Sequence, residues 1–160
     1  MKELVGIAEK VAAILTARKQ TIAVAESSAG GLISASLLAV PGASAYFLGG
    51  GVIYTRAARR ILMDIPNEEM RGLRSSSEPY ARLLAEQIRR RLACDWGLSE
   101  TGAAGPAGNS YGDAAGHSCM AIAGPRTDVM TLETGSNDRF ENMHRFAATA
   151  LNLLLRNLQR

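Results

Sequence analysis

Leu4, Ile7, Val11, Ile14 and Leu15 recur at three- and four-residue spacing, which predicts an amphipathic helix at the start of the chain. The apolar run 21–25 then reads as a buried strand, and 32–38 as a short helix after a turn. Residues 46–54 (YFLGGGVIY) are apolar with three central glycines, which predicts a buried strand with another backbone packed closely against it. A short helix follows over 56–63. Serine at the cap and Pro79 in the first turn open another, with Leu83, Leu84, Ile88 and Leu92 on one face and an end near Cys94. Residues 96–101 and 116–123 read as strands, and the turn 124–128 into 129–133 makes an antiparallel hairpin. Met143, Phe146, Ala147, Ala150, Leu151, Leu154 and Leu158 form the core stripe of a closing helix. The sum is an α/β fold in one domain over 1–160: a three-layer α/β/α sandwich with a mixed, mainly parallel sheet and an antiparallel edge hairpin.

Two glycine-rich segments sit where strands end: Ala25-Glu26-Ser27-Ser28-Ala29-Gly30-Gly31 and Thr101-Gly102-Ala103-Ala104-Gly105-Pro106-Ala107-Gly108. A strand, tight turn and helix start leave N–H groups without acceptors, and glycine lets a ligand approach the backbone, so the first segment suits phosphate or a developing oxyanion. The alternative is plain capping by Ser27 or Ser28 with the glycines serving the turn. Two such loops in one α/β domain are expected to converge at the strand ends, where open sheets bind ligands.

Composition narrows the partners. Lysine and arginine number 18 against 15 acidic residues, and the arginines fall in short groups (Arg56, Arg59, Arg60; Arg89, Arg90, Arg91). Short groups with few aromatics fit solvated helix faces better than a nucleic-acid surface, so no nucleic acid is expected as a partner. Glu3 and Glu9 break any export signal and no run approaches a membrane span, which points to a cytoplasmic protein without membrane contact. Cys94 and Cys119 lie far apart and read as buried thiols; His117 and His144 are equally scattered, so no metal site is expected.

The segments AESSAGG (25–31), VPGASAYFLGG (40–50), YTRAAR (54–59), SEP (77–79), TGAAGP (101–106) and the helix after Asn137-Asp138-Arg139 together resemble the CinA C-terminal domain family, whose stand-alone members include nicotinamide-nucleotide amidases. The resemblance implies deamidation of nicotinamide mononucleotide to nicotinic acid mononucleotide and ammonia, without a cofactor, and makes Ser27 the nucleophile on the carboxamide carbon. It matches Tyr54 to the family tyrosine for proton handling, while Arg59 stands at the family lysine; a guanidinium cannot take a serine proton at neutral pH but can hold an anion. Ala29 replaces the family threonine, and AGNSYGDAAG replaces a longer glycine-threonine stretch after Pro106. Ser28, Ala29, Gly30, Gly31, Thr101, Gly102, Gly105 and Pro106 are then the expected binding positions for a small phosphorylated metabolite, and Glu26 is a second candidate base or a structural carboxylate bonded to loop amides. A homo-oligomer is expected. Two further functions stay open: a nucleotide-binding or regulatory module that has kept the pocket and lost catalysis, and a packing scaffold.

Overall fold

The structure is a computed structural model covering residues 1–160. Along the chain run α1 (Lys2–Arg18), β1 (Ile22–Glu26), α2 (Leu32–Leu38), β2 (Phe47–Val52), α3 (Arg56–Met63), α4 (Glu78–Leu92), β3 (Trp96–Ala103), β4 (His117–Ala123), β5 (Asp128–Glu133) and α5 (Arg139–Leu158). Local chemistry sets the boundaries. The Thr55 hydroxyl accepts the Ala58 N–H at the start of α3, Ser77 accepts the Tyr80 N–H at the start of α4, and Asp138 accepts the Glu141 N–H at the start of α5.

The five strands lie in the order β2-β1-β3-β4-β5, with β2, β1 and β3 mutually parallel and β4 antiparallel to both neighbours. This is the mixed sheet with an edge hairpin that the hydrophobic pattern predicts. Helices α1, α2 and α5 cover one face and α3 and α4 the other, so β1 is buried at every position. A strand covered on both faces reads as a continuous apolar run, as 22–25 does. The larger core gathers Leu4, Leu15, Ile22, Trp96, Phe146 and Leu151. Each large apolar side chain fully buried there contributes about 1.5–3 kcal/mol. No helix is long and apolar enough to cross a membrane.

The glycine-rich strand differs from expectation. It is shorter, Phe47–Val52, and lies at the open edge of the sheet with alternating half-buried and exposed residues. At Gly50 the closest obstacle is a side chain rather than a neighbouring backbone: a Cβ there would meet Ser34 Oγ at 2.2 Å.

Candidate functional site

The chain leaves β1 toward β2 on one side and later returns as β3 on the other, which opens a crevice between the C-terminal ends of β1 and β3. Both glycine-rich segments start there. Ser27 follows β1, Thr101 and Gly102 lie among the last residues of β3, and all three line one cavity of about 340 Å³. The expected convergence of the two loops is therefore a feature of the fold.

The loop after β1 is nevertheless not an open anion cradle. Glu26 is wholly buried and curls back over α2, where Oε1 accepts the Gly31 N–H (2.8 Å) and Ile33 N–H (3.1 Å) and Oε2 accepts the Ser34 N–H (2.9 Å) and hydroxyl (2.7 Å). Glu100, also wholly buried, reaches the same loop from β3: Oε2 accepts the Ser27 and Ala29 N–H groups at 3.0 and 2.8 Å, and Oε1 accepts the Ser28 and Ser118 hydroxyls at 2.6 and 2.8 Å. Gly30 N–H donates to the Ser27 carbonyl and Leu32 N–H to the Ala29 carbonyl. From 27 to 34 only the Ser28 N–H keeps no acceptor.

Two expectations are corrected by this arrangement. Gly30 and Gly31 do not offer N–H groups to a phosphate, because the protein's own carbonyl and carboxylate already accept them. Glu26 is not placed as a base for Ser27; its oxygens are committed to the start of α2. Burial pushes the Glu100 carboxyl above the ordinary range, and bonds from Ser28, Ala29, Ser118 and Ser27 pull against that shift.

Ser27 presents a half-buried side chain to the cavity, with no hydrogen bond to the protein, while its N–H is held by Glu100. Tyr54 lines the same cavity, 62% exposed, and its hydroxyl accepts from Arg139 Nη2 at 3.2 Å. Arg139 also donates through Nη1 to the Gly105 carbonyl at 2.5 Å, which ties the second glycine segment to the start of α5. Arg59 reaches the cavity from α3. It is only 5% exposed, donates from Nη2 to Asn67 Oδ1 at 2.5 Å, pairs with no carboxylate, and leaves Nε buried without a partner.

Of the remaining expected positions, Thr101 is buried and its hydroxyl accepts the Ser76 N–H at 3.2 Å, so it holds the loop before α4 against the cavity. Ser28, Gly102 and Gly105 line an adjoining cavity of about 180 Å³. Ala29 is wholly buried, and Ala29, Gly30, Gly31 and Pro106 line neither cavity. The residue pattern left several partners unread: Glu100, Arg139, and His117, whose Nε2 meets the Ser76 carbonyl at 2.8 Å. One signal was present, since Glu100 is a lone charge inside the strand Trp96–Ala103, and a charge there needs buried donors.

Comparison with known proteins agrees with this fold. The family model of the CinA C-terminal domain matches residues 5–158. A CinA-like protein of Gloeobacter violaceus is 37% identical over 154 residues, 95% of this chain and 36% of that protein. A CinA-like protein of Anaeromyxobacter sp. strain K is 39% identical over 146 residues, 91% of this chain and 36% of that protein. The chain thus spans about a third of the length of these relatives. Among solved structures, the competence/damage inducible protein CihA of Agrobacterium tumefaciens superposes with a TM-score of 0.88 at 26% identity, covering 99% of this chain and 96% of that one. The competence or damage-inducible protein of Enterobacter asburiae gives 0.90 at 26% identity, covering 97% and 98%.

Proposed function

The chain belongs to the CinA C-terminal domain family, and from that premise we propose that its crevice binds a pyridine nucleotide and that Ser27 hydrolyses the carboxamide. The observation that carries this reading is the pairing, in one cavity, of an unbonded Ser27 side chain with the buried, carboxylate-free guanidinium of Arg59. The two carboxylates beneath the Ser27 loop repel an anion from α2, so the ligand's phosphate lies toward α3 and Arg59 while its amide lies over Ser27.

In this reading Ser27 Oγ attacks the carboxamide carbon, and the Tyr54 hydroxyl, held by Arg139, relays the proton: it accepts from Ser27 as its own proton passes to the departing nitrogen. The C–N bond breaks and ammonia leaves. Water then cleaves the Ser27 ester and releases the carboxylate product. The Ser28 N–H, the loop's one free donor, is the group available to the oxyanion.

A second reading, a binding module without turnover, is favoured by one observation: no histidine, lysine or carboxylate lines the Ser27 cavity. One assay separates the two. The protein is incubated with nicotinamide mononucleotide while ammonia and the melting temperature are both followed. Amidase activity predicts ammonia that Ser27→Ala reduces by about 10³-fold or more. Because the Ser27 side chain makes no protein contact by hydrogen bond, stability should change by less than about 0.5 kcal/mol. A thermal shift without ammonia supports the module, and neither signal removes both readings.

A further inference from the structure

The Ser27 cavity does not end at Arg59. A second cavity of about 410 Å³ lies beyond it, and the two share Arg56, Arg59, Ser75 and Tyr111 in their walls. Each is of a size to take roughly one nucleotide. No carboxylate lines either, although the chain carries 15 acidic residues.

Three features of the shared wall point to phosphate chemistry. Arg59 is 5% exposed, has no counter-charge and leaves Nε buried without a partner, an arrangement that is unfavourable until an acceptor arrives. The Arg56 guanidinium is exposed and unpaired. At the start of α3 the Thr55 hydroxyl and carbonyl take the Ala58 and Arg59 N–H groups, so those of Arg56 and Ala57 remain free.

Beyond the shared wall the far cavity adds Asn67, Arg74 and two aliphatic side chains. Met70, Leu73 and Tyr111 line it, and the Arg74 guanidinium lies 5.4 Å from the Tyr111 ring centre. Arg74 is already neutralised by Asp113 at 2.6 Å, so it steadies an aromatic surface instead of recruiting an anion. The Tyr111 ring with Met70 and Leu73 offers a surface for the flat face of a nucleobase, and Asn67 sets an amide beside it.

We infer that the ligand of this cleft is a dinucleotide: a carboxamide-bearing nucleoside over Ser27, a pyrophosphate at Arg59 and Arg56, and a second nucleoside against Tyr111, Met70 and Leu73. The inference rests on the reading of the Ser27 cavity as a pyridine-nucleotide site, and it replaces a mononucleotide by a ligand with two anionic groups and two rings.

Titration calorimetry of the whole chain with nicotinamide adenine dinucleotide and with nicotinamide mononucleotide, with ammonia measured in parallel, tests it. The dinucleotide should bind at least about tenfold more tightly, and Tyr111→Ala, or Leu73→Trp filling the far cavity, should shrink that ratio to within about threefold. Arg59→Gln should weaken both ligands. Equal affinity for the two ligands in the parent, or a ratio untouched by Tyr111→Ala and Leu73→Trp, overturns the inference. Ammonia from the mononucleotide at equal affinities leaves the amidase reading standing and the dinucleotide one fallen. Tight dinucleotide binding without ammonia does the reverse, and binding of neither ligand removes both.

Discussion

Glu26 and Glu100 are both wholly buried beside one loop, and each is met by four hydrogen-bond donors and no cation. That choice of partners fixes their roles. A carboxylate that accepts three N–H groups at the start of a helix stands where a bound phosphate would otherwise stand, so the protein supplies its own anion and excludes a foreign one. Glu26→Ala strips acceptors from Gly31, Ile33 and Ser34 at once. Because each buried donor left unpaired is itself unfavourable, the variant should lose at least about 2 kcal/mol, the upper end for an ordinary cap. Urea unfolding measures it, and a loss under about 0.5 kcal/mol would show that water replaces the carboxylate freely.

At the scale of elements, His117 ties β4 and β5 to one loop of the site wall. From β4 its Nδ1 meets Glu133 on β5, and its Nε2 meets the carbonyl of Ser76 in the loop before α4. That loop lines the Ser27 cavity, and Ser76 takes a left-handed φ of 57°, a conformation a serine keeps only when neighbours hold it. Burial opposes charge on His117, but Glu133, the Ser76 carbonyl and Asp113 outweigh it and raise the ring above its ordinary value of 6.5. A base raised in the folded state stabilises fully below its unfolded value and loses that contribution as pH rises through the folded one. The stability gap between the parent and His117→Gln should therefore be widest near about pH 5.5 and shrink by about pH 9, as read from urea midpoints. A gap that widens with pH contradicts the assignment of a charged ring.

Across the whole molecule, the parts legible in the residue pattern are those set by neighbours close in sequence. The helical stripe ending at Leu158, the Ser77 cap with Pro79, and the β4–β5 hairpin all follow from spacing and turn chemistry, and the two glycine loops meet because parallel strands end on one side. An apolar run with three glycines reads the same in a central strand and at an edge, so the place of β2 was hidden until its partners were known. Long-range pairs were hidden for the same reason: Glu100 lies 73 residues from Ser27, and Arg139 lies 85 from Tyr54. Since the Ser27 loop is held by Glu26 and Glu100 before any ligand arrives, binding does not wait for this loop to order or close. In stopped-flow mixing the observed rate should rise linearly with ligand concentration, as one encounter does; a rate that levels off would reveal a rearrangement the two carboxylates fail to prevent.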